Sequence, residues 1–226
     1  MSRCLQCMNP IHDVLHIYNF FKPPRQFCEE CEKKWAAIKL LNDDEERCAR
    51  CLNLKTTDTQ VCLDCQFLEN DFHLMEQLYC DYKYQGIMKE TIHQYKFMRD
   101  YELSKVLAQK LKLPRTDYDM IVPIPSPYER DVERTFNPVA TVLDKMGVKY
   151  VNILGTNLRP KQSKLGKLER AQAMNPFYIK DEKMDLSDKV ILLIDDIYTT
   201  GLTIHHAGCK LSALNVRKFK VFAFAR

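Results

Sequence analysis

Apolar residues from about position 78 onward recur at two alternating spacings, one typical of strands and one typical of helices. Short apolar runs predict strands at 78–84, 120–124, 150–154, 190–194 and 219–225. Between these runs, apolar positions three and four residues apart predict helices at 86–97, 101–111, 137–146 and 203–214. Regular alternation of strand and helix is typical of an α/β domain with a mainly parallel sheet.

The first 70 residues lack this alternation. Their apolar patches are short, and only 29–41 has the spacing of a helix. An acidic run at 43–46 separates two stretches that are rich in cysteine. We therefore expect a small module over residues 1–70 and an α/β domain over residues 71–226.

Cysteines supply the first candidate chemistry. Eight of the ten form Cys-x-x-Cys pairs, namely Cys4/Cys7, Cys28/Cys31, Cys48/Cys51 and Cys62/Cys65. Two intervening residues let both thiolates of one turn face a single tetrahedral ion. Cytosolic proteins rarely keep so many disulfides, so bound metal explains the pairs better than cross-links or a redox role for one pair. The sequence predicts a Cys4 zinc-ribbon module.

Sequential pairing would give two sets of four ligands. The first set is Cys4, Cys7, Cys28 and Cys31, and the second is Cys48, Cys51, Cys62 and Cys65. A crossed arrangement, in which the first pair joins the third and the second joins the fourth, is the alternative. In both arrangements four sulfur ligands complete the coordination of zinc, so the metal would be structural and would not be catalytic.

Charge is unevenly distributed along the 226 residues. The net charge is +4, but residues 1–80 carry −4 and residues 81–226 carry +8. The second part is therefore the better candidate to bind a polyanion, with a solvated basic surface as the alternative. No apolar run approaches the roughly 18 residues of a membrane span, and the N-terminus lacks the apolar stretch of a secretion signal. These features favour a cytoplasmic protein without a membrane span.

The most specific motif lies at 190–203. A continuous apolar run at 190–194 is followed by Asp195 and Asp196, and then by a turn that opens a helix. Free N–H groups and the helix dipole favour a phosphate at such a helix start. Gly201 allows close approach of the backbone, and hydroxyl groups are supplied by Thr199, Thr200 and Thr203. The alternative is that these Asp and Thr side chains only cap the helix.

This segment resembles the phosphoribosyl-pyrophosphate motif of type I phosphoribosyltransferases. The resemblance implies a phosphoribosyltransferase-like α/β domain in which Asp195 and Asp196 bind the ribose 2′- and 3′-hydroxyls. It also implies that the ligand binds together with magnesium. The 5′-phosphate would be held by Thr199, Thr200, Gly201, Leu202 and Thr203. Leu202 is a departure, because many members of that family have a smaller residue there.

A basic loop follows the predicted strand at 150–154. Its five cations fall within twelve residues and are Arg159, Lys161, Lys164, Lys167 and Arg170. Gly166 favours mobility in this loop. In phosphoribosyltransferases a flexible loop closes over the pyrophosphate and excludes water. The cations could therefore clamp a pyrophosphate or the backbone of a nucleic acid, with a solvated loop as the alternative.

Together with the cysteines, four further segments make the whole chain resemble the ComF family of competence proteins. They are Tyr84-x-Gly86…His93…Lys96-Phe97, Val122–Pro125 with Arg130, Arg134, Phe136 and Asn137, Arg159-x-Lys161-Gln162…Glu169-Arg170…Asn175…Phe177, and Val221–Arg226. The resemblance implies a pyrophosphate and flexible-loop set of Arg130, Arg134, Arg159, Lys161, Gln162 and Arg170. It further implies binding of phosphoribosyl pyrophosphate and single-stranded DNA during DNA uptake, the competence helicase ComFA as a partner, and pairing into homodimers.

Two alternatives stand beside the competence hypothesis. One is an active phosphoribosyltransferase of nucleotide salvage, which the complete ribose-phosphate motif favours. Few cations at 126–129 and the lack of a base-recognition motif count against turnover. The other is a binding module in which the ligand only orders the basic loop.

Overall fold

A computed structural model describes residues 2–12, 17–18, 21–40, 46–55, 59–157, 174–181 and 183–226. Within these ranges the helices are α1 (Glu29–Ala37), α2 (Leu63–Glu69), α3 (Gly86–Phe97), α4 (Leu103–Lys110), α5 (Tyr128–Arg134), α6 (Pro138–Lys145) and α7 (Leu202–Ser212). The strands are β1 (Ser2–Arg3), β2 (Pro10–Ile11), β3 (Leu78–Cys80), β4 (Met120–Pro123), β5 (Leu154–Thr156), β6 (Phe177–Ile179), β7 (Val190–Ile197) and β8 (Lys218–Ala225).

The central sheet contains four strands in the order β3-β8-β7-β4, and all of its pairings are parallel. The predicted α/β architecture with a parallel sheet is therefore confirmed. The predicted helix at 86–97 has the same bounds as α3, while β3 is shorter than the predicted strand. The acidic run at 43–46 falls mostly on residues outside the described ranges.

Alternate side chains of β7 and β8 enter two separate cores, one on each face of the sheet. On one face Leu192 and Ile194 pack with helices α1, α3, α4 and α6. On the other face Ile191 and Leu193 pack with α7 and with the second set of cysteines. Burial on both faces explains why the sequence of β7 is a continuous apolar run rather than an alternating one.

The predicted strand at 150–154 is displaced in the structure. At 150–154 the Val151 N–H donates one hydrogen bond to the carbonyl of Ile121 in β4, at the edge of the central sheet. The chain then forms β5, which pairs antiparallel with β6 in a separate two-stranded sheet. Because β6 lies beyond the basic loop in sequence, local apolar spacing did not reveal this pairing.

The cysteine-rich segment packs against the α/β domain along the edge that carries β3. The ring of Trp35 in α1 meets the ring of Tyr82 edge-on, with centroids 5.0 Å apart. Lys110 in α4 pairs with Glu32 in α1 at 2.8 Å. The Leu40 N–H donates to the Asp81 carbonyl at 2.8 Å. The two predicted parts thus share side-chain packing and backbone bonds.

Within the described residues, none of the helices has the length and apolar character that crossing a bilayer requires.

Replacing Trp35 with alanine tests how far this packing stabilises the fold. Trp35 is 2% exposed and lies between the two parts of the chain, so Trp35→Ala should lower the free energy of unfolding by about 3–5 kcal/mol. Urea denaturation followed by circular dichroism measures this loss. Phe97→Ala is the matched control, because Phe97 is 64% exposed and should cost little. Equal stability of the two variants would contradict the shared packing.

Candidate functional site

A cleft of about 440 Å³ opens where β4 and β7 end. These neighbouring parallel strands lead to helices on opposite faces of the sheet, since α6 belongs to one core and α7 to the other. Ligands of open α/β sheets bind at such a switch point, beyond the carboxyl ends of the strands. The topology therefore locates the candidate site independently of any motif.

Two carboxylates form the floor of the cleft. Asp195 and Asp196 are the sixth and seventh residues of β7, and both are partly buried. The Asp196 N–H donates to Asp195 Oδ1 at 2.9 Å. Burial, together with the neighbouring charge of Asp196, raises the pKa of Asp195 to about 7. A ligand that donates hydroxyl hydrogens to these oxygens would replace lost hydration.

A tight turn connects this floor to α7. Gly201 is the N-cap residue of α7 and has φ +79°, a left-handed conformation that glycine adopts most readily. A Cβ atom at Gly201 would lie 2.2 Å from the hydroxyl oxygen of the buried Tyr198 side chain. His205 Nδ1 lies 2.7 Å from the Gly201 carbonyl oxygen. The turn is therefore packed from behind, and the first N–H groups of α7 remain available to an anion.

Cations form the opposite wall. Arg130 and Arg134 project from α5, and Lys96 comes from the last turn of α3. Lys96 Nζ forms an ion pair with Asp196 Oδ2 across the cleft. Three cations thus face two carboxylates and a helix N-terminus, an arrangement suited to a ligand that carries both hydroxyls and phosphates.

A polar network orients α5 against the end of β4. The Ser126 hydroxyl donates to Asp131 Oδ1, and Asn137 Nδ2 donates to Asp131 Oδ2 at 2.9 Å. Asn137 is also the N-cap of α6, where its Oδ1 accepts from the Ala140 N–H at 2.9 Å. Through these contacts the short helix that carries Arg130 and Arg134 is held at the rim of the cleft.

Eight cysteines form two clusters outside the cleft. Cluster one contains Cys4, Cys7, Cys28 and Cys31, and cluster two contains Cys48, Cys51, Cys62 and Cys65, with the sulfur atoms of each within 4.8 Å of one another. None of the eight forms a disulfide. Four sulfurs around one zinc ion lie about 3.8 Å apart, and the measured Cys48–Cys65 distance is 3.8 Å. Each cluster could therefore hold zinc, and the grouping is sequential rather than crossed.

The two clusters are built in the same way. In cluster one the Met8 N–H donates to the Cys4 carbonyl at 2.9 Å, and the Cys28 N–H donates to Cys4 Sγ at 3.3 Å. In cluster two the corresponding bonds run from Leu52 to Cys48 at 2.9 Å and from Cys62 to Cys48 Sγ at 3.3 Å. In each cluster the second pair starts a short helix. The cysteine-rich segment is thus a structural repeat, which residue spacing alone did not reveal.

Curated relatives of the chain are competence proteins. Competence protein ComFC of Streptococcus pneumoniae is 29% identical over 99% of this chain and 100% of its own length. Competence protein ComFC of Bacillus subtilis is 30% identical over 77% of this chain and 81% of its own length. This chain belongs to the ComFC family. Competence protein F of Haemophilus influenzae is a more distant relative of this ComFC-family chain, at 22% identity over 99% of the chain.

Two further comparisons add little. No family model matches the chain. A hypoxanthine phosphoribosyltransferase from Staphylococcus aureus is 12% identical, with 70% of this chain and 69% of that chain covered and a TM-score of 0.28. The parallel order β3-β8-β7-β4 of this ComFC-family chain is evident from its own strand pairing.

Most of the motif residues meet in the cleft. Its lining contains Asp195, Asp196, Thr199, Thr200, Leu202, Thr203, Arg130 and Arg134. Gly201 lies behind the lining and shapes the turn. Arg159, Lys161, Gln162 and Arg170 lie outside the described residues, as do the other cations of the basic loop.

Sequence reasoning did not assign Lys96 to the site. It belongs to a segment that resembles the ComF family, but that resemblance gave it no role in binding. The signal that could have found it is a lysine in the last turn of the first α/β helix, which the topology brings to the cleft. Ser126 and Asp131 were missed for a different reason, since their role depends on contacts with Asn137.

Arg226 joins cluster two to the turn between β7 and α7. Arg226 Nε donates to the Cys51 carbonyl at 2.7 Å, and Arg226 Nη1 donates to the Thr199 carbonyl at 3.2 Å. The guanidinium lies 5.3 Å from the ring centroid of Tyr198. The cysteine cluster thus supports the turn that faces the cleft.

Asp195→Asn tests how much the buried charge of Asp195 destabilises the folded protein. The pKa of Asp195 is raised to about 7 from 3.8, so the ionised side chain destabilises the folded state increasingly as pH rises from about 4 to 7. Asparagine carries no charge, so Asp195→Asn should raise the melting temperature by an amount that grows up to pH 7 and is constant above it. Thermal unfolding from pH 5 to pH 8 measures this.

Asp71→Asn is the matched control, because Asp71 lies on an exposed turn and should show no such gain. A lower melting temperature for Asp195→Asn at every pH would show that the carboxylate stabilises the fold instead.

Proposed function

We propose that this ComFC-family chain binds phosphoribosyl pyrophosphate with magnesium, and single-stranded DNA, in cytoplasmic steps of DNA uptake. The observation that carries the proposal is the cleft itself. It places two adjacent carboxylates and a helix N-terminus opposite three cations, Lys96, Arg130 and Arg134. A sugar that carries phosphates at both ends matches this distribution of charge.

Each part of the ligand has a complementary part of the cleft. Asp195 and Asp196 accept hydrogen bonds from the ribose 2′- and 3′-hydroxyls. The turn from Thr199 to Thr203 holds the 5′-phosphate, through hydroxyl groups and the N–H groups that begin α7. Arg130 and Arg134 lie on the pyrophosphate side, where magnesium accompanies the ligand. The basic loop residues Arg159, Lys161, Gln162 and Arg170 would cover that side.

Binding of single-stranded DNA rests on a separate observation. Residues 81–226 carry a net charge of +8, and such a charge attracts the phosphates of a polyanion by releasing counterions. Membership in the ComFC family supports a role in competence. The cysteine-rich segment supplies a surface for the competence helicase ComFA, and the α/β domain pairs into homodimers in this proposal.

Calorimetric titration with phosphoribosyl pyrophosphate and magnesium tests the ligand. The wild type should bind, and the double substitution Asp195→Asn with Asp196→Asn should weaken binding about 10- to 100-fold, because hydrogen bonds to charged acceptors are lost. Asp71→Asn should bind as the wild type does. Wild-type protein that gives no heat signal with this ligand would contradict the proposal.

A second titration in the presence of single-stranded DNA tests whether the protein binds DNA and whether DNA changes the affinity for phosphoribosyl pyrophosphate. We expect coupled binding, in which each ligand changes the affinity of the protein for the other by the same factor. Duplex DNA of equal length is the control. Absence of DNA binding at low salt would remove that half of the proposal and leave the sugar phosphate in place.

Metal analysis tests zinc in the two clusters. The purified chain should contain two zinc ions, one for each set of four sulfurs. Cys62→Ser should lower the content to about one and destabilise the protein, because cluster two lies in the core beside β7. Cys209→Ser is the control, since Cys209 belongs to neither cluster. Full zinc content in the Cys62→Ser variant would contradict the assignment.

A further inference from the structure

Lys96 connects the two walls of the cleft although it lies 100 residues from its partner in sequence. Its Nζ atom forms an ion pair with Asp196 Oδ2, and the two side chains are 18% and 15% exposed. Lys96 also lines the cleft beside Arg130 and Arg134. This partly buried cation therefore contacts the carboxylate floor and also belongs to the cationic wall.

The turn of α3 that carries Lys96 is held in a fixed relation to the arginines. Arg134 Nε donates to the Lys96 carbonyl at 3.1 Å. The Tyr95 hydroxyl donates to the Pro138 carbonyl at 2.9 Å, and its ring stacks on Phe136 at 4.9 Å. Arg99 pairs with Glu133 of α5 at 3.3 Å. Because of these contacts, the three cations form one preorganised group.

The ammonium group of Lys96 has enough N–H donors to bind Asp196 and a phosphate at the same time. An ammonium group carries three N–H donors, and the contact with Asp196 uses one of them. The remaining two can be donated to phosphate oxygens that enter from the side of Arg130. Such a contact adds the positive charge that residues 126–129 lack, since this segment contains Glu129 but neither lysine nor arginine.

We propose that Lys96 binds the C1 diphosphate of the ligand directly, held in place by its ion pair with Asp196. This inference rests on the proposed ligand, phosphoribosyl pyrophosphate. In the complex, the ammonium group bridges the carboxylate that binds the ribose and the diphosphate that is attached to C1. It thereby sets the angle between the sugar and its diphosphate.

The affinity for two ligands that differ only in the diphosphate tests this role. Lys96→Met should weaken binding of phosphoribosyl pyrophosphate about 10- to 100-fold, the loss expected for one charge-assisted contact. Binding of ribose 5-phosphate, which has no diphosphate, should change much less. Lys96→Arg keeps the charge and should retain most of the preference for the diphosphate.

Lys105→Met is the matched control, because Lys105 pairs with Glu102 on the exposed surface of the next helix. Equal weakening of both ligands by Lys96→Met would show that Lys96 only neutralises Asp196, and would overturn the inference. An unchanged affinity of Lys96→Met for phosphoribosyl pyrophosphate would overturn it as well. Wild-type protein that binds neither ligand would instead refute the proposed function.

Reductive methylation of the wild-type protein examines the same contact without a substitution. Phosphoribosyl pyrophosphate should protect Lys96 from methylation more strongly than ribose 5-phosphate does, as measured by mass spectrometry. Lys105 should be methylated equally in both samples. Equal protection of Lys96 by the two ligands would contradict its contact with the diphosphate, even if Lys96→Met failed to fold.

Discussion

Two adjacent carboxylates at the end of a strand that is buried on both faces are the constraint on which the site depends. Ionised groups lose hydration when they are buried, and two of the same sign oppose each other. The structure offsets this cost with Lys96, which approaches Asp196 from α3. The wall of cations and the floor of carboxylates are therefore one electrostatic unit, because each makes the burial of the other less unfavourable.

Features that depend on neighbouring residues could be predicted from the sequence. The run Val190–Ile194 indicated a strand buried on both faces, and Gly201 indicated a turn before a helix. Both are confirmed, since β7 is buried on both faces and Gly201 has φ +79°. Each Cys-x-x-Cys pair is also a local feature, formed as a turn or a helix start. The choice of the sequential grouping over the crossed alternative came from the structure, because it depends on contacts between pairs.

Features that depend on distant contacts could not be predicted in this way. Lys96 and Asp196 meet only because the chain crosses from β3 at one edge of the sheet to β4 at the other, and then returns to β7. The pairing of β5 with β6 spans the basic loop, so apolar spacing placed that strand too early. Packing of Trp35 on Tyr82 likewise has no signature in the spacing of either residue.

The cysteine-rich segment has a direct physical relation to the cleft. Tyr198 is 3% exposed, and its hydroxyl group packs against Gly201 in the turn that precedes α7. Arg226 lies over the Tyr198 ring and donates to carbonyls of both Cys51 and Thr199. A change in the geometry of cluster two would therefore displace Arg226, and with it the contacts that Arg226 makes with Tyr198 and Thr199 in the turn. Cluster two is therefore not an independent appendage of the α/β domain, because its backbone supports the turn that lines the cleft.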